Sequence, residues 1–215
     1  IIMKHFWLPV LAVLFAKLAF PAWSRGDTHP FCFGAPEMFP IDSQISLLHA
    51  ADLTGNGLND LIVADNQHSK IVLLYNETDH PNWAEGVIPT MSFDINQLPP
   101  GSRFRIDSIS VDEQISAMAV TDLNGDGRPD IAFFGDSHNL EVIYNLGTNG
   151  WSDPTTWSIG DGKMTPNALA AGDLNGDGRC DLILLGDNGS LYYLQQRKNH
   201  TLADPARIPY SGTPN

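Results

Sequence analysis

One nine-residue pattern occurs three times in the chain and constrains its fold more than any other feature. The copies, named loops one, two and three, occupy residues 52–60, 122–130 and 173–181. Each begins and ends with aspartate, and each is preceded and followed by a short apolar run. The loops begin 70 and 51 residues apart. Internal repeats of such length indicate a solenoid, a propeller or a repeat array.

The apolar runs around the loops are typical of β-strands, because they are short and end at Gly, Asn or Asp. A turn of the Asp-Asn type follows the second run of every unit, and a third apolar run begins after it. The turns contain Asp65 and Asn66, Asp136 and Ser137, and Asp187 to Gly189, and the third runs cover 71–75, 140–144 and 191–194. Three or four antiparallel strands per unit of about 50 residues is typical of a β-propeller blade.

Two other repeat architectures fit less well. A parallel β-helix has much shorter coils, and helical solenoids disagree with 19 glycines and strand-like runs. We therefore predict an all-β protein with about three four-stranded antiparallel propeller blades. Propellers generally contain four to eight blades, so we expect an incomplete propeller: a fragment, or a piece that closes its ring by association.

The N-terminal segment predicts export. Met3 and Lys4 precede an apolar stretch from Phe6 to Phe20, and small residues follow at Ala22 and Ser24. This order is typical of a secretory signal peptide, which we place at residues 1–24, with the repeat region at 25–215. An uncleaved anchor is the alternative, but a spanning helix needs about 20 apolar residues. We expect a secreted, periplasmic or cell-surface protein with no membrane span after signal cleavage.

The charge of the chain narrows the classes of partner. There are 25 acidic and 12 basic side chains, a formal net charge of −13. This balance argues against nucleic-acid and anionic-membrane partners, because phosphate contacts need clustered Lys and Arg. Eight of the acidic residues lie in the three loops, which points to cation binding instead.

Loops two and three have the pattern Asp-x-Asn-x-Asp-Gly-x-x-Asp, which predicts calcium sites. Side-chain oxygens at positions 1, 3, 5 and 9 and the carbonyl of position 7 are hard ligands of the kind Ca²⁺ prefers. An EF-hand is excluded because position 12 holds Val63, Phe133 or Leu184 instead of Glu, and a strand follows instead of a helix. An Asx-rich turn without metal is the remaining alternative. Loop one, with only two aspartates, is a weaker third candidate.

These loops, each followed by an apolar strand, resemble FG-GAP/VCBS repeats of integrin-α-type β-propellers over residues 41–196, and are closer to the bacterial VCBS style. In that family the loop binds calcium through positions 1, 3, 5, 7 and 9. The resemblance implies the ligand sets Asp122, Asn124, Asp126, Arg128 (carbonyl) and Asp130, and Asp173, Asn175, Asp177, Arg179 (carbonyl) and Asp181. It implies a partial set at Asp52, Thr54, Asn56, Leu58 (carbonyl) and Asp60.

The sequence gives little support for catalysis. It contains no Gly-x-Ser-x-Gly, His-Glu-x-x-His or Cys-x-x-Cys motif. Gly135-Asp136-Ser137 is similar to a hydrolase nucleophile block, but it aligns with the turns of the other units, and we interpret it as a hairpin. Cys32 and Cys180 are too far apart in sequence to predict pairing. We interpret the aromatic residues as packing between blades, with stacking on sugars as the alternative; they are Trp83, Trp151, Trp157, Tyr192 and Tyr193.

Two functions follow from the sequence. The first is a secreted or surface calcium-binding propeller that acts as a protein- or carbohydrate-binding or adhesion module, with no chemistry of its own. The alternative is a fragment of an extracytoplasmic propeller enzyme, a polysaccharide lyase or hydrolase. The first is favoured, since no catalytic motif is present.

Overall fold

The computed structural model describes residue 39 and residues 41–79, 102–187 and 189–209. All of them belong to the compact unit Met38–Asn215. The predicted signal peptide, Cys32, Trp83 and the Pro-rich segment 98–101 lie outside the described residues.

The described residues form three four-stranded sheets, which we name blades one, two and three. In each blade the strands pair antiparallel in chain order. Blade one contains β1 (Ile45–Ala51), β2 (Asp60–Asp65), β3 (Lys70–Asn76) and β4 (Phe104–Ser110). Blade two contains β5 (Ile115–Thr121), β6 (Asp130–Gly135), β7 (Asn139–Ile143) and β8 (Thr155–Ser158). Blade three contains β9 (Leu169–Gly172), β10 (Asp181–Leu185), β11 (Ser190–Leu194) and β12 (Ala206–Pro209).

This arrangement confirms the predicted all-β fold of four-stranded antiparallel blades. Every repeated loop connects the first strand of a blade to the second, and every Asp-containing turn connects the second strand to the third. A single 3-10 turn, Gly147–Asn149, lies between β7 and β8. Among the described residues, no helix is long and apolar enough to cross a membrane.

The second strand of blade two, β6, contains a continuous apolar run at residues 131–134. All six residues of β6 are buried, because both faces of this strand are covered. Ile131 and Phe133 pack into the core shared with blade one, whereas Ala132 and Phe134 pack into the core shared with blade three. Alternate residues of a strand point to opposite faces, so one strand supplies two cores. Each fully buried large side chain contributes roughly 1.5–3 kcal/mol.

Successive blades pack face to face, and their first strands are neighbours. β1 contacts β5, and β5 contacts β9. The core between blades one and two includes Ile62, Leu73 and Met118, and that between blades two and three includes Leu140, Leu182 and Leu194. The neighbouring first strands and the interblade cores are those of consecutive propeller blades.

The exposure of the leucine at position 2 of each loop depends on whether another blade packs against it. Leu53 and Leu123 are 3% and 0% exposed, because each packs into the core shared with the next blade. Leu174 is 52% exposed, and the described residues contain no blade after blade three. Three blades, the third with an exposed position-2 leucine, agree with the predicted incomplete propeller.

Candidate functional site

In each loop the backbone folds around the carboxylate of the aspartate at position 1, which accepts hydrogen bonds from backbone N–H groups. Asp122 Oδ1 accepts a hydrogen bond from the Gly125 N–H at 2.6 Å, and Asp122 Oδ2 accepts one from the Gly127 N–H at 2.8 Å. Gly125 and Gly127 have φ of +75° and +85°, a conformation that glycine adopts without steric cost. Asp52 and Asp173 make the same pairs of bonds at 2.7–2.9 Å.

The aspartate at position 9 is fully buried in all three loops and joins the loop to the end of the third strand. Its Oδ1 accepts the backbone N–H of the last residue of that strand in blade one, and of the residue two positions beyond it in blades two and three. The pairs are Asp60 with Asn76 at 2.6 Å, Asp130 with Asn145 at 2.8 Å, and Asp181 with Gln196 at 2.8 Å. Position 9 therefore anchors the loop to its sheet.

The second oxygen of position 9 has different partners in the three blades. Asp60 and Asp130 accept the N–H of the position-2 leucine, at 2.9 Å and 2.8 Å. Asp181 Oδ2 instead accepts the Tyr193 hydroxyl at 2.8 Å, and the same hydroxyl accepts a bond from Asn175 Nδ2 at 3.2 Å. Tyr193, which we interpreted as a packing residue, contacts the candidate ligands of loop three.

The environment of the carboxylates changes their acidity in opposite directions. Burial raises the pKa of Asp130 from 3.8 to about 6, and it also raises the pKa of Asp60. The pKa of Asp173 is lowered, chiefly because the Gly178 N–H donates to its carboxylate. The buried carboxylates of Asp60 and Asp130 are thus costly to charge without a nearby cation, whereas the position-1 carboxylate of loop three is stabilised as an anion.

Positions 3, 5 and 7 form a second, more exposed layer in loops two and three. Asn124 Oδ1 accepts the Asp126 N–H at 2.9 Å, and Asn124 Nδ2 donates to Asp126 Oδ2 at 3.0 Å. The Arg128 guanidinium forms an ion pair with Asp126 and donates through Nε to the Asn145 carbonyl at 2.8 Å. Loop three repeats the ion pair with Arg179 and Asp177.

Loop one has the same curl but a different second layer. Asn56 Oδ1 accepts the Leu58 N–H at 2.9 Å, and Asn56 Nδ2 donates to Asp79 Oδ2 at 3.2 Å. Leu58 replaces the arginine of the other loops, so position 7 of loop one supplies no guanidinium to position 5. Loop one therefore has neither the third carboxylate nor the ion pair.

The donor set of loops two and three suits a hard divalent cation. Each loop brings three carboxylates and one amide oxygen into nine residues, and these are the oxygen ligands that Ca²⁺ prefers. In both loops the position-5 carboxylate also bonds an arginine. A bound cation would therefore share that carboxylate with the guanidinium or displace it.

Loops one and two are each bonded to the blade that follows them. Asn145 Nδ2 donates to the Leu53 carbonyl at 2.9 Å, and Gln196 Nε2 donates to the Asp122 carbonyl at 3.4 Å. His200 Nδ1 also lies 2.6 Å from the Asn124 carbonyl. We did not predict these contacts; the only signal was an amide residue at the same place in each unit, Asn76, Asn145 and Gln196.

Another group missed from the sequence lies at the turn between β2 and β3. His68 Nδ1 is 2.9 Å from Asp42 Oδ2 and 3.1 Å from Asp65 Oδ2. Among the described residues, these three are the group whose carboxylate and imidazole atoms lie within 4.8 Å of one another. Lys70 Nζ is 3.4 Å from Asp65 Oδ2. The group is therefore a network in which a lysine and a histidine contact two carboxylates.

The remaining sequence candidates have structural roles. Gly135-Asp136-Ser137 forms the β6–β7 turn, as predicted, and the Ser137 hydroxyl donates to the Glu113 carboxylate, which is 5% exposed. Cys180 is not in a disulfide. Trp151, Trp157 and Tyr192 pack against the interblade cores, as we interpreted them.

Comparisons with known proteins agree with the repeat. Residues 122–184 match the FG-GAP-like repeat family. No curated protein sequence matches the chain. A solved Tc holotoxin pore of Photorhabdus luminescens has 19% identity and a TM-score of 0.42, over 76% of this chain and 7% of that one. BBS1N in complex with ARL6DN has 16% identity and a TM-score of 0.37, over 81% of this chain and 57% of that one.

Proposed function

Since residues 122–184 are an FG-GAP-like repeat, we propose that the protein is an extracytoplasmic calcium-binding propeller module that holds a protein or polysaccharide ligand. Repeats of this family are typical of extracellular proteins. The observation that carries the proposal is the near-identical hydrogen-bonded scaffold of loops two and three. It places the same acidic and amide side chains at the same positions of two successive blades.

Loops two and three are the two principal calcium sites of this proposal. Their ligands are the side chains at positions 1, 3, 5 and 9 and the carbonyl at position 7. The raised pKa of buried Asp130 supports a cation there, because a nearby positive charge stabilises the carboxylate. Loop one, with Asp52 and Asp60 as its only carboxylates, is the weaker third site.

Calcium in these loops would stabilise the fold of the module, and the ligand would be bound by protein side chains on its surface. Loops two and three each bond the end of their own third strand, and loop two also bonds blade three. A cation that orders loop two therefore stiffens the junction between blades two and three as well. Binding to the folded state alone stabilises it by about 2.7 kcal/mol at a calcium concentration of about 100 times Kd.

The open face of blade three supports the association that completes the ring. Leu174 is exposed there, although its counterparts are buried at the two internal junctions. We propose that a further blade, from this chain or from another, covers that face. Sedimentation of the wild type and of Leu174→Glu tests this: self-association that the variant abolishes supports pairing between copies.

The calcium proposal is tested by thermal melting of chelator-treated protein across a calcium titration. We expect the melting temperature to rise with calcium in the wild type, and to rise less in Asp126→Asn and Asp177→Asn. Asp153→Asn is the matched control, because Asp153 is an exposed aspartate outside the loops. An unchanged wild-type melting temperature would overturn the calcium sites.

A further inference from the structure

A cavity of about 400 Å³, open to solvent on one side, lies between loop two and blade three. Asp122, Asn124 and Gly125 form one side, and Arg179, Gln196 and the hairpin loop between β11 and β12 form the other. The volume lies within the range of roughly 300–1,000 Å³ that is typical of small-molecule pockets.

The hairpin loop brings an unusual density of positive charge into an acidic protein. Arg197, Lys198 and His200 line the cavity together with Arg179. Thus three of the 12 basic residues of the chain converge on one cavity, although the net charge is −13. Arg197 and Lys198 are exposed, and within the described part of the chain neither has an ion-pair partner.

The single carboxylate in the lining does little to neutralise these cations. Asp122 bonds the backbone N–H groups of Gly125, Asp126 and Gly127. Arg179 is paired with Asp177, outside the lining, whereas Arg197 and Lys198 are free to meet an incoming anion. An unpaired guanidinium binds a carboxylate through parallel hydrogen bonds, which makes arginine a specific partner for that group.

The equivalent hairpin of blade two shows that the fold does not require this charge. Leu146 N donates to the Gly150 carbonyl at 2.8 Å, exactly where Arg197 N donates to the Thr201 carbonyl at 2.8 Å. Isolated bridges close both hairpins at Asn145 with Trp151 and at Gln196 with Leu202. Leu146 and Gly147 thus occupy the places of Arg197 and Lys198. Of the two blade junctions, the basic pair is therefore present only at the one between blades two and three.

His200 fixes the charged hairpin against loop two. Its Nδ1 lies 2.6 Å from the Asn124 carbonyl. A carbonyl only accepts, so Nδ1 carries the proton, and Nε2 is left for another partner. The cavity is therefore held at both sides before any ligand enters, which lowers the entropic cost of binding.

We propose that this cavity binds a carboxylate-bearing saccharide of the uronate type. The inference rests on the proposed function, since it identifies the class of polysaccharide that the module holds. Apart from Cys180, the lining has no apolar side chain and no aromatic ring apart from His200. Peptide-binding sites generally depend on buried apolar or aromatic anchors, so a polyhydroxylated anion fits this lining better than an acidic peptide.

The test is a calorimetric titration with a hyaluronan tetrasaccharide, in parallel with its carboxyl-reduced neutral counterpart and a glutamate peptide of equal charge. Calcium is held constant in all three. We expect the uronate to bind, the neutral sugar to bind at least about tenfold more weakly, and binding to weaken as salt rises. Absence of uronate binding, equal binding of the neutral sugar, or tighter binding of the peptide would each overturn the proposal.

Two exposed substitutions localise the binding. Arg197→Ala and Lys198→Ala should each weaken uronate affinity about tenfold, since each removes a charged hydrogen-bond donor. Lys163→Ala removes the same charge from an exposed site outside the cavity and should leave the affinity unchanged. Equal losses in all three variants would show a nonspecific charge effect and refute the cavity. Calcium-dependent melting is measured on the same samples, so failure of the metal sites is distinguished from failure of the saccharide site.

Discussion

Loops one and two have the same shape but not the same charge. In both, the position-1 aspartate accepts N–H groups from positions 4 and 6, and the position-9 aspartate is buried against the third strand. They differ at positions 3, 5 and 7, where Thr54, Asn56 and Leu58 replace Asn124, Asp126 and Arg128. The loop shape therefore does not depend on the second layer of polar residues.

The comparison separates two roles that one sequence motif combines. Positions 1, 6 and 9 build the turn and attach it to the blade through backbone hydrogen bonds. Positions 3, 5 and 7 determine how much negative charge the turn presents to a cation. Each role can be tested separately in the two loops.

The largest expected effect is the loss of the buried anchor. Asp130→Ala leaves the N–H groups of Leu123 and Asn145 without their acceptor, and we expect it to lower the free energy of unfolding by roughly 3 kcal/mol or more. Asp60→Ala should cost a similar amount, because its bonds to Leu53 and Asn76 are equivalent. Urea unfolding in chelator measures both, with Asp153→Ala as the control. A large loss in only one loop would contradict a shared scaffold.

Exchanging the side chains at positions 3 and 5 between loops one and two should exchange their calcium-dependent stability. The double variant Thr54→Asn/Asn56→Asp gives loop one the side chains of loop two at positions 3 and 5. We expect it to gain about 2.7 kcal/mol of calcium-dependent stability at about 100 times Kd, and one more bound ion by calorimetry. The reverse variant, Asn124→Thr/Asp126→Asn, should lose that response and keep its calcium-free stability. No difference between the two would show that metal affinity does not reside at these positions.

The interblade amides should contribute less, and unequally. Asn145→Ala removes a buried bond of 2.9 Å to the Leu53 carbonyl, and we expect a loss of about 1 kcal/mol or somewhat more. Gln196→Ala removes a longer bond of 3.4 Å to the Asp122 carbonyl and should cost less. Thermal unfolding of the two variants under identical conditions gives the order. The reverse order would show that packing, and not the hydrogen bond, dominates the junction.

The effect of pH on stability is divided between two pH ranges, because the pKa values of the loop carboxylates shift in opposite directions. The pKa of Asp130 is higher in the folded than in the unfolded state, so its contribution to stability falls as pH rises from 3.8 to about 6. The lowered pKa of Asp173 acts in the opposite sense, since its contribution is lost as pH falls. The two groups act in different pH windows, so in calcium-free protein we expect Asp130 to lower the unfolding free energy as pH rises from 3.8 to about 6, and Asp173 to lower it as pH falls below 3.8.

A substitution separates the contribution of Asp130 to the pH dependence from that of Asp173. Asp130→Asn should remove the fall in stability that Asp130 causes between pH 4 and pH 6, which is at most about 1.4 kcal/mol per unit of pKa shift removed. Carbon NMR titration of the Asp130 carboxyl gives the same answer directly, with a midpoint near 6 expected without calcium. A midpoint near the ordinary value of 3.8 would show that water or a cation reaches the buried carboxylate.

Much of the blade was predictable because its signals are local. The Asp, Asn and Gly positions of the loops and the apolar runs beside them predicted the first three strands of every blade. The fourth strands were less visible: β4, β8 and β12 lie at blade edges, and β4 and β8 have mostly exposed or half-buried residues instead of a continuous apolar run. Such sequences lack the apolar run that predicted the other strands, so they carry a weaker pattern.

The candidate sites were likewise predictable only where their residues are close together in the sequence. The aspartates of each loop lie within nine residues, so their grouping is visible in the sequence. Tyr193 on Asp181, Asn145 on Leu53 and Asp42 beside His68 join residues that are far apart along the chain. No spacing rule predicts such contacts, because the packing of strands and blades brings the partners together.

The sequence by itself determined the repeat, the curl of each loop and the acidic ligand sets, since these depend on residues that are neighbours along the chain. Only the tertiary structure decided which loop leucines are buried, which amides join one blade to the next, and that the basic hairpin of blade three faces loop two. These features depend on how one blade packs against another, and the two sides of every junction come from different repeats.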